Sequence, residues 1–318
     1  MNTISSDINK AIALLSNEDI VAIPTETVYG LAGNIFSEKA IQKIFKVKQR
    51  PLFNPLIVHI HSLSQVNELA SAFPEKAQLL ANAFWPGPLT LILPKKSHIS
   101  DTITAGKSTV GIRMPNHPVA LQLLEQLPFP LAAPSANPFN RISPTRASHV
   151  AAYFNEAVPM ILEGGACKNG IESTIIGFED NEPVLYRLGS TSKEAIERII
   201  GTVKIKNNSE QTPNAPGMLA KHYAPKTKTY LVDNIAEFVA KHKQQTIGVL
   251  RFSNATVPSF VTHVKTLSIT ADLKEAAAGV YQALHELDGL QLDIIVAEKL
   301  PDYGLGASIN DRLTRATK

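Results

Sequence analysis

Residues 24 to 60 hold two threonine hydroxyls, a carboxylate, a Lys/Arg pair, an Asn amide and an imidazole, all framed by short apolar runs. Asp19-Ile20-Val21-Ala22-Ile23 reads as a buried strand that Pro24 ends, because proline has no N–H to give a ladder. Ser37-Glu38 opens a helix: serine accepts from first-turn amides, and glutamate suits the positive end of the dipole. Ala40, Ile41, Ile44, Phe45 and Val47 give that helix one apolar face, and Lys46, Lys48 and Arg50 crowd its C-terminal end. Leu56-Ile57-Val58-His59-Ile60 is the next strand. A strand, a polar turn, a helix and a basic loop feeding another strand is a plan for an anionic ligand pocket.

A chain of 318 residues exceeds what one hydrophobic core comfortably serves. The composition, 44% hydrophobic and 19% charged, is that of a soluble globular protein. A net charge of +3 permits a nucleic-acid partner without arguing for one. The single cysteine, Cys167, excludes an intrachain disulfide and fits a reducing compartment. The first ten residues lack a basic region followed by an apolar run, and no apolar stretch reaches the ~20 residues of a membrane helix. The expectation is a cytoplasmic protein with no membrane partner.

The rest of the chain alternates strands and helices. An amphipathic helix is expected over 6–16 and another from Ser64 to Phe84, stopped by Trp85-Pro86-Gly87-Pro88. Strands are expected at 89–93, 110–114, 131–133, 173–176 and 184–189, and helices at 118–127 and 192–200. From Lys204 to Pro225 the composition shifts to Asn, Gln, Ser, Thr, Pro and Gly, a linker by composition that also carries His, Tyr and Lys, as binding loops do. Beyond 227 the alternation restarts, with strands at 229–232, 246–252 and 292–297 and helices at 235–243, 272–287 and 308–316. That pattern predicts a small α/β domain with a parallel sheet. The expected division is 1–203, a linker or loop over 204–226, and 227–318.

Four motifs look like sites and are better read otherwise. Asp101 to Ser108 nearly spells a P-loop, but Asp101 replaces the first glycine and would face the phosphates; a turn before a strand is the simpler reading. Gly304-Leu305-Gly306 starts a dinucleotide fingerprint, but Ile309 stands where the third glycine belongs, which leaves a helix entry. His59 and His61 share a strand face without a third metal ligand nearby. Cys167 reads as a buried thiol.

Arg113, inside an apolar strand, needs a carboxylate or phosphate partner, which a structural acid or a ligand would each supply. Arg187, between Tyr186 and Leu188, repeats that logic. Ser135, Ser143 and Ser173 each sit at a turn beside a strand, where a hydroxyl caps or binds. Arginines and hydroxyls at strand ends with few carboxylates describe a pocket for a phosphorylated or carboxylated small molecule.

At these residues the chain resembles the YrdC-like, threonylcarbamoyl-AMP synthase family in its long two-domain form. Pro24-Thr25-Glu26-Thr27-Val28-Tyr29-Gly30-Leu31 matches the opening motif. Lys48-Gln49-Arg50-Pro51 with Asn54-Pro55-Leu56 matches the basic motif, with Gln49 where glycine is usual. Pro134-Ser135-Ala136-Asn137, Glu172-Ser173-Thr174-Ile175 and Arg187-Leu188-Gly189 match later ones, and Pro216-Gly217-Met218 through His222-Tyr223-Ala224-Pro225 resembles the linker. The resemblance implies a twisted mixed sheet flanked by helices, plus a small Rossmann-like C-terminal α/β domain.

It also implies a reaction, in which L-threonine, bicarbonate and ATP give threonylcarbamoyl-adenylate and pyrophosphate. The product would feed N6-threonylcarbamoyladenosine formation in tRNA through a downstream transferase machinery. Thr27, His59, Arg113, Ala133 (through its backbone) and Ser173 would hold threonine. Arg50, Asn54, Thr109, Ser135, Ser143, Arg187 and Tyr223 would hold ATP, with Lys48 near the phosphates and Lys48 and Arg50 as the catalytic cations. Mg²⁺ would come with the ATP, held by phosphates and water.

Two other readings stand beside this one. An RNA-binding module, or weak RNA binding, has little support, since basic and aromatic residues do not interleave. A carbamoyl-transfer domain of the hydrogenase-maturation type would need acylphosphatase-like and zinc-finger regions that the chain lacks.

Overall fold

The computed structural model describes residues 3–206 and 222–317, and it builds them on two sheets. The large sheet has eleven strands. From one edge they run Thr3–Ser5, Met160–Leu162, Val21–Ile23, Gly30–Asn34, Leu131–Ala132 and Ile57–His59. They continue with Thr109–Arg113, Leu89–Pro94, Thr174–Glu179, Glu182–Arg187 and Lys204–Ile205. Pairing is mixed: Ile57–His59 runs parallel to Thr109–Arg113 and antiparallel to Leu131–Ala132.

Side-chain alternation gives the sheet's middle strands two unlike faces. Val58, Leu89, Leu91, Leu93, Ile112 and Ile176 point into the main core, where Ile41, Ile44 and Phe45 of helix Glu38–Lys48 pack. Each fully buried side chain of this kind contributes ~1.5–3 kcal/mol. Their neighbours Ile57, His59, Thr90, Ile92, Gly111, Arg113 and Ile175 point the other way. That face carries the polar residues.

Ser37 caps the helix by accepting from the Ala40 amide, as its sequence suggests. Its C-cap, Gln49, sits in the left-handed region at φ 52°, which explains why glycine suits this position. The near-P-loop forms a short helix, Asp101–Thr104, and a turn into strand Thr109–Arg113.

The structure departs from the sequence reading in several places. The expected helix 64–84 divides into Val66–Leu69 and Glu75–Phe84, because Pro74 cannot continue a helix. Strands Gly30–Asn34 and His263–Thr266 were not expected, nor was helix Ala147–Phe154. Residues Lys204 and Ile205, expected in the linker, pair with Val184 and Leu185 and extend the large sheet. The expected binding loop through Lys221 lies outside the described residues, and its end, His222-Tyr223, is buried.

The small sheet is parallel throughout, in the order Lys228–Val232, Ile294–Glu298, Ile247–Arg251, His263–Thr266. Helix Ile235–Ala240 packs on one face. Helices Leu273–Asp288 and Gly304–Ala316 cover the other and press against the large unit: their core includes Val28, Ile142, Ile171 and Tyr223. Gly304 opens the last helix, as the broken fingerprint suggested. The mixed sheet and the small parallel α/β unit are those expected of the fold class.

Candidate active site

A cavity opens on the polar face of the large sheet. Thr27, His59, Arg113, Ala133 and Ser173, the residues expected to hold threonine, all line it. So do Arg50, Ser135, Arg187 and Tyr223 of the expected nucleotide set.

Strand register builds the first half. His59 and Arg113 are direct partners on adjacent parallel strands. The Arg113 guanidinium lies 2.7 Å from Glu26 Oε2, both buried, yet its Nε and Nη2 make no aligned hydrogen bond. The arginine is therefore neutralised from behind while keeping donors in reserve. His59 Nδ1 lies 3.2 Å from the Ile57 carbonyl, so this nitrogen carries the proton and Nε2 is left as an acceptor. Burial first, then the Arg113 charge, lowers the His59 pKa to about 3, and the ring is neutral at physiological pH.

The Thr25 hydroxyl donates to the Val28 carbonyl at 2.7 Å, so in its 2.8 Å contact with Thr27 it must accept. Thr27 thus spends its proton on Thr25 and presents lone pairs to a ligand.

The second half is cationic. Arg50 donates to the Asn54 and Pro55 carbonyls at 3.1 and 2.8 Å, and burial, then Arg187, push its pKa down to about 9. Arg187 donates to the Ser173 carbonyl at 3.0 and 2.8 Å and to its Oγ at 3.1 Å. Ser173 Oγ also meets Thr90 Oγ1 at 2.8 Å. Ser173 therefore stands between the two halves.

Four expected site residues lie elsewhere. Lys48 is buried under the turn at 134–138, where its ammonium donates to the Ser135 and Asn137 carbonyls. Ser143 gives its proton to Glu172 Oε1 at 2.6 Å, behind the cavity wall. Asn54 is fully buried, with no hydrogen-bond partner for its side-chain amide among the described residues. Thr109 is not brought to this cavity. It shares a sheet face with Arg113 four residues along the strand, about 13 Å away, and lines a second cavity with Lys107 and Phe178.

Sequence reasoning gave no role to Glu26, Thr90, Glu172 or His222, nor to anything in the small unit. Glu26 and Glu172 stood inside matched motifs, and Thr90 interrupts an otherwise apolar strand. Both were usable signals. The small unit contributes Tyr281, whose hydroxyl donates to Glu172 at 3.0 Å, and Arg312, whose Nε donates to Glu172 Oε2 at 3.1 Å. Arg312 lies three residues after Ile309 and beside Leu313, on the helix's core face, where a charge needs a partner.

Fold and site together define a class: a two-unit α/β protein with a mixed sheet, whose buried cavity sets a guanidinium and hydroxyls beside a cluster of cations. Residues 13–189 match the family model Sua5_yciO_yrdC, described as telomere recombination. Residues 191–317 match the threonylcarbamoyl-AMP synthase C-terminal domain. The chain belongs to the Sua5_yciO_yrdC family. It is 42% identical to the threonylcarbamoyl-AMP synthase of Bacillus subtilis, over 99% of this chain and 94% of that protein. With the Pyrococcus abyssi enzyme of the same name the identity is 39%, over 96% and 93%. The crystal structure of P. abyssi Sua5 complexed with L-threonine superposes with a TM-score of 0.93 at 38% identity, covering 100% of this chain and 97% of that one.

Proposed function

We propose that this chain is an L-threonylcarbamoyladenylate synthase, a nucleotidyltransferase that makes threonylcarbamoyl-AMP and pyrophosphate from L-threonine, bicarbonate and ATP. The observation that carries the reading is the place of Ser173. It joins a half-site built for an amino acid, with Arg113, His59 and Thr27, to one built for phosphates, with Arg50 and Arg187. The L-threonine in the P. abyssi relative supports the first half.

In this reading Arg113 takes the threonine carboxylate through the donors that Glu26 leaves unaligned. Thr27 and the Nε2 of His59 accept from the threonine ammonium or hydroxyl. Threonine's neutral amine condenses with bicarbonate, losing water, to give the carbamate, whose oxygen attacks the α-phosphorus of ATP, and pyrophosphate leaves. Arg50 and Arg187 stabilise the charge that builds on the phosphates, and the shared cavity contributes by holding both reactants in reach. Lys48 acts through the turn that carries Ser135, and Ser143 through Glu172.

Mg²⁺ would enter with the nucleotide. Among the described residues no three His, Cys, Asp or Glu side chains could hold a metal, and the cavity's carboxylate, Glu172, is committed to Ser143, Tyr281 and Arg312. The residues present do not form a metal cage, and phosphates and water would supply the ligands.

The product would pass to the machinery that makes N6-threonylcarbamoyladenosine in tRNA, in the cytoplasm. Among the described residues no helix is long and apolar enough to cross a membrane. Pyrophosphate release from ATP, with threonine and bicarbonate omitted in turn, tests the activity. Release should need both, and release indifferent to threonine would overturn the reading.

A further inference from the structure

The last helix of the small unit reaches into the wall of the cavity. Ser308 and Arg312, four residues apart and so on one helix face, are both fully buried. The Ser308 hydroxyl donates to the Gly189 carbonyl at 2.9 Å, and Arg312 Nε donates to Glu172 Oε2 at 3.1 Å. The two contacts grip the chain on both sides of the site, just before Ser173 and just after Arg187. Arg312 Nη2 is buried with no hydrogen-bond partner among the described residues, and the guanidinium lies 5.4 Å over the ring of Tyr223.

Glu172 is the acidic group of a cavity otherwise lined by cations and neutral groups. Burial alone would raise its pKa, but Arg312, then Arg187 and the bond from Ser143, hold it below the usual carboxylate range. It is an anion set in a site for a polyanion. Its closest cation is Arg312, and the next to act on it is Arg187. Without Arg312, a buried unpaired carboxylate would repel phosphates and draw Arg187 away from Ser173.

We propose that Arg312, supplied by the small unit, is a positioning residue of the nucleotide half-site: it neutralises Glu172 and so keeps Arg187 in place on Ser173. The inference rests on the proposed use of ATP and gives the second unit a task in it. The site is incomplete without the last helix.

The test measures ATP binding to the full chain by titration calorimetry without threonine, for wild type, Arg312→Gln, Arg312→Lys and Arg312→Gln with Glu172→Gln. Melting curves establish that each variant is folded. Arg312→Gln should weaken ATP about tenfold or more. Arg312→Lys should recover part of the loss by restoring charge without the guanidinium's geometry. The double variant should return to within about threefold of wild type, because the stranded charge is gone. In steady state the KM for threonine should move less than about threefold in Arg312→Gln.

Unchanged ATP affinity in folded Arg312→Gln would overturn the proposal. So would equal losses for ATP and threonine, or a double variant worse than the single one. Wild type that binds ATP but releases no threonine-dependent pyrophosphate would sink the activity proposed above and leave the Arg312 result standing on binding.

Discussion

His59 and Arg113 are register partners on parallel strands, and the arginine's charge adds to burial in keeping the histidine neutral. The pair puts a fixed cation beside a neutral acceptor at one end of the cavity, the arrangement an amino acid's carboxylate and hydroxyl or ammonium require. Glu26 completes it from behind, taking the arginine's charge without using its hydrogen-bonding directions.

Arg113→Ala should raise the threonine requirement about 100-fold or more, since losing one partner of a buried charged contact costs about 2–5 kcal/mol. The ATP requirement should change by no more than about threefold, because Arg113 lies in the other half of the site. Stability should fall by about 3–5 kcal/mol, because Glu26 is left buried and unpaired. Separate KM values for the two substrates, with a denaturant titration, check all three. A uniform rise in both would show that Arg113 serves the fold rather than threonine.

Gly189 admits no side chain. A Cβ there would stand 2.4 Å from the Thr174 nitrogen and 2.5 Å from the Glu172 oxygen and the Ser173 carbonyl carbon. All three atoms are backbone and cannot turn aside. Gly189→Ala should cost about 1–3 kcal/mol and shift Ser173, weakening threonine and ATP together. A variant of normal stability with intact binding of both would contradict this packing.

Much of this arrangement was legible because short apolar runs and strand-ending prolines declared themselves in Ile20 to Pro24 and Leu89 to Pro94. Strand Gly30–Asn34 was not, since Gly-Leu-Ala-Gly-Asn holds neither β-branched residues nor a polar alternate; it is a strand because its neighbours pair with it. The half proposed to hold threonine was readable from motifs whose residues converge in space. Lys48 shows why position in sequence is ambiguous here: at a helix end, a lysine that buries its ammonium beneath a turn looks like one facing solvent or phosphate. Glu172 was given no role because its partners come from distant segments, Ser143 within the large unit and Tyr281 and Arg312 from the small one.

Lys48→Met separates two roles for that lysine. As a prop beneath the turn, it leaves the Ser135 and Asn137 carbonyls unsatisfied when removed, at about 1–3 kcal/mol each. Both substrates should then bind less well, because the turn region carries Ala133 and Ser135, proposed to hold one substrate each. A loss confined to ATP, at unchanged stability, would mean that the ammonium leaves its carbonyls for the phosphates when nucleotide binds.

The depressed pKa of His59 makes a pH prediction with a definite sign. Unfolded, the ring takes a proton near pH 6.5; folded, it does so only near 3. Between those values the unfolded state binds more protons, so stability falls as the pH drops from 6.5 towards 3, by up to about 1.4 kcal/mol per pH unit from His59. Above 6.5 the ring is neutral in both states and contributes no slope. His149 and His285, stacked at 3.9 Å between the two units and lowered chiefly by burial to about 3 and about 4, act in the same direction. Unfolding titrations of wild type and His59→Gln across this range should show a shallower acid limb in the variant. Threonine binding, measured by calorimetry without bicarbonate so that its protonation does not intrude, should be flat from pH 6 to 8. An inflection near 6.5 that disappears in His59→Gln would mean that the ring titrates as an exposed histidine does and is not the buried neutral acceptor its bond to Ile57 makes it.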